Sequence, residues 1–341
     1  MPVAARRVFR LSFTMALALA CGYGFGVDLP FLAPIFALML TATPGPPMPP
    51  KKLVVLVLAI TLILAVGLLL IRVLEHYPMS GILIVMCGIY LSSYMAVNLG
   101  KGPVAVFLTM SLTLISAMGL MDWGIAASLI DAIGLGLIIA IVSQWVVYPF
   151  FPEEQGLVIP EPPPPTPQEN NWIALRATII IMPVYLLMLT NPAAYAPIMM
   201  KSVTLGQQGS MVSAREAGRE LLGSTFLGGC FALLIWKALG ISTNLWMFFL
   251  WILLFGVFFA GKLYQVFSSR YPASFWSNVA VTALILLGSA VQDSETGKDV
   301  YTAFAVRMGL FIAVTLYAWL AIAVLERYRT RGLAVRWVPS N

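Results

Sequence analysis

Residues 149–171 read PFFPEEQGLVIPEPPPPTPQENN. Proline supplies no backbone donor and the glutamates resist burial, so this stretch cannot continue a helix or hide in an apolar interior; it reads as a semi-rigid extended linker. Apolar runs crowd both sides of it. The chain therefore divides into a first membrane half over 1–150, a linker over 151–171 on the cytoplasmic side, a second membrane half over 172–330 and a basic cytoplasmic tail over 331–341.

Composition explains why both halves belong in lipid. Of 341 residues, 60% are hydrophobic and 10% are charged, where soluble domains carry roughly 25% charged residues. With a mean hydropathy of +0.91, a soluble enzyme is excluded. A span needs about 20 apolar residues. Cutting at charges, Pro and Gly clusters predicts helices near 9–27, 53–74, 79–97, 103–120 and 124–148, then near 172–190, 215–239, 244–263, 272–291 and 301–325. Shorter pieces, 30–43 and 193–206, follow the first run of each half. The expected fold is an all-α polytopic membrane protein of about twelve elements, with a short Pro-containing second helix in each half.

Basic residues orient such a chain, because Lys and Arg collect in cytoplasmic loops. With the N-terminus inside, 15 of the 20 fall at cytoplasmic ends, and Lys201, Arg72, Lys237, Lys298 and Arg307 remain. Arg6, Arg7 and Arg10 then anchor the first span, although they mimic a twin-arginine export signal, as Ala18-Leu19-Ala20-Cys21 mimics a lipoprotein box. Both termini are expected in the cytoplasm. Six elements per half give both halves one orientation, a parallel repeat about an axis along the membrane normal. The sequence echoes it: Arg10 opens one half as Arg176 opens the other, and LPFLAPIFALMLT (29–41) is matched by NPAAYAPIMMKSVT (191–204). Lys51 and Lys52 precede the third element, and Arg215 and Arg219 take the matching place.

Short Pro-interrupted segments at corresponding places are the best sequence pointer to a transporter's binding site. Pro34 and Pro197, deeper in their runs than Pro30 and Pro192, are expected to free backbone carbonyls at membrane depth. Ionisable residues inside spans cost about 2.5 to 3.5 kcal/mol each, so each needs a partner or a polar path. Three stand out. Setting Gly134 against Gly309 brings Asp131 within one residue of Arg307, an expected intramembrane pair with Asp131 as proton-coupling group. Lys201 suits a carboxylate ligand, with Arg176, Arg215 and Arg219 recruiting it; the alternative is a lysine that reaches to the interface. Tyr195, Met199 and Met200, with Phe31, Phe36 and Met39 opposite, would form an adaptable apolar wall, or simply pack.

Other chemistry is poorly supplied. Cys21, Cys87 and Cys230 lie in apolar runs without metal or redox spacing, and His76 is the only histidine. No basic face tracks phosphates, so no nucleic acid is expected. No phosphate-binding GxxxxGK[ST] loop occurs. Neither an enzyme, a metal nor a cofactor is expected.

The Arg-led first span, the Pro-containing short helix at Leu29-Pro30-Phe31-Leu32-Ala33-Pro34, and Arg219-x-x-x-Gly223-x-Thr225-x-x-Gly228 at the next long span resemble the fusaric acid resistance and aromatic acid exporter family. The first half departs from this pattern at Lys51-Lys52-Leu-Val-Val-Leu, and the proline linker stands where many members carry a large cytosolic domain. The resemblance implies an inner-membrane efflux component for small organic or aromatic acids, working with a periplasmic adaptor of the membrane fusion type and an outer-membrane channel. It also implies kinship with plant malate channels, in which six-span subunits pair, so that twelve spans form a fused pseudo-dimer; a homo-oligomer is a further option. A proton-coupled exporter is the leading expectation. A passive anion channel and a non-transporting scaffold of an envelope complex are the alternatives.

Overall fold

The structure, a computed structural model, describes the backbone of residues 2–153, 167–208 and 214–336, and the side chains of 2–153, 171–206 and 220–327. Residues 154–166 of the linker and 337–341 of the basic tail lie outside the described residues. The first half contains α1 (Val3–Gly24), α2 (Leu32–Thr41), α3 (Pro50–His76), α4 (Pro78–Asn98), α5 (Gly102–Met121) and α6 (Trp123–Val147). The second contains α7 (Pro167–Thr190), α8 (Pro192–Gln208), α9 (Ala214–Leu239), α10 (Leu245–Leu263), α11 (Ala273–Glu295) and α12 (Val300–Arg336).

Local chemistry sets many of these ends. Proline occupies the first turn of α3, α4 and α5, where its missing N–H is no loss. Asp122 caps α6 by accepting from Gly124 N at 2.6 Å and Ile125 N at 3.3 Å, and Asn244 caps α10 by accepting from Met247 N at 2.7 Å. Both satisfy donors that a helix start leaves open. Among the described residues, nine helices are long and apolar enough to cross a membrane. The other three are α1, α2 and α8. At 1.5 Å per residue, α2 reaches only about 15 Å, half of a bilayer core. The chain is thus a polytopic helical membrane protein.

The packing follows the order of the elements in each half. In the first, α1 packs on α2 and α6, α2 on α6, and α3 on α5 and α6; in the second, α7 packs on α8 and α12, α8 on α12, and α9 on α11 and α12. Across the halves, α1 lies on α10 while α7 lies on α4, and α2 lies on α11 while α8 lies on α5. Every one of these contacts has its counterpart six helices later.

Two glycines mark the same crossing twice. At Gly67 on α3 an added Cβ would strike the Ser111 carbonyl of α5, and at Gly228 on α9 it would lie 2.7 Å from Thr282 Cβ and 2.9 Å from the Val279 carbonyl of α11. Without side chains there, the backbones approach closely. The α5 member of this set has a π-helical turn over Ser111–Ile115. There Ser111 Oγ accepts from Gly67 N at 2.8 Å and donates to the Leu64 carbonyl at 3.0 Å, so a side chain on one span enters the hydrogen-bond ladder of another.

One of the two predicted breaks is revised. Pro34 is the third residue of α2, within the first turn, where no carbonyl is freed because those N–H groups have no helical partner anyway. Pro197 does lie inside α8, and Pro183 lies inside α7. Helix α8 also runs past Thr204 to Gln208, longer than its apolar pattern implies.

Candidate functional site

The two short helices meet the fifth helix of each half around a cavity of about 190 Å³. Leu32, Ile35, Phe36 and Met39 of α2 line it, with Met200, Val203 and Thr204 of α8. Val106 and Met110 of α5 and Ser277, Val281 and Ile285 of α11 complete the wall. The four lining helices are two corresponding pairs, so the cavity lies between the halves. Its surface is chiefly aliphatic and thioether, with Thr204 and Ser277 as the hydroxyl-bearing members. A dry cavity of about 150 Å³ is enough for one benzene ring, so this space fits a single aromatic ring or a short branched chain. Of the residues expected to form the wall, Phe36, Met39 and Met200 do so. Tyr195, near the start of α8, is partly buried against the apolar core instead.

Lys201 sits directly behind this wall. It is 0% exposed, which excludes the reading in which it reaches to an interface. Its ammonium position does not line the cavity. Nζ donates to Asn278 Oδ1 at 2.7 Å and to Thr282 Oγ1 at 2.7 Å, each the sequence neighbour of a lining residue, Ser277 or Val281. Asn278 Nδ2 in turn donates to Ser224 Oγ of α9. Among the described residues no carboxylate lies within ion-pair distance of Nζ. Counting four residues on from each proline, Leu38 of α2 takes the place of Lys201, and Leu38 is buried in apolar surroundings.

Among the described residues, the other charges singled out from the sequence do not line the cavity. Arg307 of α12 does not pair with Asp131; its guanidinium forms a two-point ion pair with Asp293 of α11, through Nη1 to Oδ2 and through Nη2 to Oδ1 at 3.0 Å, and Nη1 also donates to the Ser289 carbonyl at 3.3 Å. The acid and base come from adjacent helices of the same half. Asp131 is exposed on α6, on a stripe with Leu135, Val142 and Val146. The matching of Gly134 with Gly309 misled because neither packs closely on anything; nothing stands within 4 Å of a Cβ built at either.

Arg176, expected to recruit an anion, is buried and pairs with Glu326 at 3.7 Å. In the first half Arg10, 1% exposed, pairs with Glu153 at 2.7 Å, and Arg7 reaches the same carboxylate at 2.6 Å. Burial alone would push the Glu153 carboxyl up, but hydrogen bonds from Arg7 and Arg10, and their charges, outweigh it and hold the group below the usual carboxylate range. The side chains of Arg215 and Arg219 lie outside the described residues.

Sequence reasoning passed over Asn278, Thr282 and Ser224, whose neutral side chains escape a search for charges. One signal was present: Asn278 and Thr282 are four apart, hence on one face of α11.

Residues 7–147 match the model of a membrane protein family described as a protein of unknown function, DUF2955. No curated protein and no solved structure matches the chain. The chain is a multi-pass helical membrane protein whose first half is similar to that uncharacterised family.

Proposed function

We propose that the protein is a transporter that exports small organic or aromatic acids through the cavity between its halves. The observation that carries this reading is the cavity itself, bounded by both short helices and backed by Lys201. Its size and lining suit one ring or a short branched chain, and a lysine one residue behind the wall can supply a positive charge to an anionic head group when it is protonated. The resemblance of the short helices and of the Arg219–Gly228 stretch to aromatic acid exporters supports the same substrate class. In this reading the protein lies in a bacterial inner membrane with both termini in the cytoplasm, draws on a proton gradient, and delivers its substrate to a periplasmic adaptor and an outer-membrane channel. It carries out no covalent chemistry and needs no cofactor.

The test is uptake of radiolabelled benzoate into inverted vesicles containing the full chain. Accumulation above that of empty vesicles, collapsed by a protonophore, supports the proposal. Equal uptake with and without the protein would overturn it.

A further inference from the structure

The hydrogen bonds around Lys201 are directional, and their directions can be followed atom by atom. Ser224 Oγ–H donates to the Leu221 carbonyl at 3.1 Å, and Thr282 Oγ1–H donates to the Asn278 carbonyl at 2.7 Å. Both hydroxyl hydrogens are thereby committed to backbone oxygens. Asn278 uses its amide nitrogen on Ser224 Oγ, which turns its carbonyl oxygen toward Lys201. What remains for the lysine, among the described residues, is two acceptors and no donor. An ammonium has three N–H groups and no lone pair; with two acceptors it would leave one N–H, and its whole charge, uncompensated in a fully buried site. A neutral amine has two N–H groups, and both are used.

We infer that Lys201 is the proton-binding site of the protein: it rests as a neutral amine against Asn278 and Thr282, and its one free position takes up a proton when an anion occupies the neighbouring cavity. The step is Lys–NH₂ plus a proton from the aqueous phase giving Lys–NH₃⁺, with no other bond made or broken. An anion beside the wall supplies the counter-charge that is missing among the described residues. The last part rests on the function proposed above; the resting protonation state does not.

Among the described residues, the surrounding titratable groups are engaged elsewhere. On α7, Tyr185 shares a hydrogen bond with Ser116, and Arg176 pairs with Glu326 of α12. Asp293 of α11 is held by Arg307 of α12, and Glu220 of α9 accepts from Ser274. Helix α5, the remaining neighbour of α8, carries no charged side chain within Gly102–Met121. Nor does the fold itself demand a cation here, because the corresponding place in the first half is occupied by Leu38.

The experiment uses the full chain in lipid nanodiscs, grown with lysine labelled at the ε carbon with ¹³C. At pH 7 and without solute, one lysine signal is expected at the neutral-amine shift, missing from Lys201→Met; Lys201→Arg provides the same assignment should the methionine variant not fold. Adding saturating benzoate is expected to move that signal to the ammonium shift. A spectrum in which every lysine is an ammonium at pH 7 before addition would overturn the inference, whatever the flux measurements show. A neutral Lys201 that benzoate does not move would leave the resting state standing and overturn the link to an anion in the cavity. Vesicle flux separates the two proposals. Benzoate transport with the same pH dependence in wild type and Lys201→Arg overturns the proton site and keeps the transporter; a neutral Lys201 in a protein without flux does the reverse.

Discussion

Arg10 and Arg176 hold corresponding places in α1 and α7, and each reaches a carboxylate at the far end of its own half, Glu153 just beyond α6 at 2.7 Å and Glu326 within α12 at 3.7 Å. The first and sixth helices of each half are tied at the same end of the bundle. Both arginines are buried, so removing one partner strands a charge rather than merely losing a contact.

Glu153→Gln is accordingly expected to lower the stability of the detergent-purified protein by about 3 kcal/mol at pH 7. The pH dependence has a definite sign. A carboxyl held below its unfolded value contributes stability that is complete above the unfolded titration, near pH 4.3, and is lost as pH falls through the folded value. Thermal unfolding of wild type and Glu153→Gln should therefore differ fully at pH 7 and converge as pH falls through the lowered folded value of Glu153. A gap that widens on acidification would contradict the pairing.

Asp293→Asn strands the Arg307 guanidinium, which is 20% exposed, and should cost about 1 to 3 kcal/mol. Changing Asp293 and Arg307 together to Asn and Met should cost less than the sum of the single changes, a coupling read from a double-mutant cycle. Asp131→Asn, at an exposed position, should stay within about 0.5 kcal/mol of wild type.

Gly67→Ala and Gly228→Ala each force a methyl group into a backbone crossing and should destabilise the fold by about 1 to 3 kcal/mol. Gly134→Ala and Gly309→Ala meet open space and should be neutral or stabilising by up to about 1 kcal/mol, because alanine is the better helix former. Denaturation midpoints of the four variants in one detergent decide the matter.

Val281→Phe adds a ring to the wall of the central cavity. Benzoate flux should fall at least about tenfold, the effect of losing about 1.4 kcal/mol of binding, while the protein still purifies as a folded species. Unchanged flux would mean that solute takes another route.

The helices among the described residues were readable from run length and composition, because lipid demands long apolar stretches and prolines and charges interrupt them. The repeat was readable from Arg10 with Arg176 and from the prolines of the short helices. Ion partners were not. Periodicity says which residues share a face of one helix but not which neighbouring helix that face meets, and Arg307 finds its acid fourteen residues back, at Asp293, across the turn that joins α11 to α12. Glu153 is one of several glutamates in a proline-rich stretch, and only the docked N-terminal helix distinguishes it. The π-helical turn at Ser111–Ile115 packs against Gly67, a contact that no local propensity encodes.

Leu38 stands in one half where Lys201 stands in the other. Two identical six-helix subunits arranged about a two-fold axis must place an even number of ammonium groups beside it, because every residue occurs twice. A single polypeptide with unlike halves is free of that parity and carries one. Fusion of the halves thus permits a stoichiometry of one buried lysine per cavity, which no symmetric dimer of either half alone can reach.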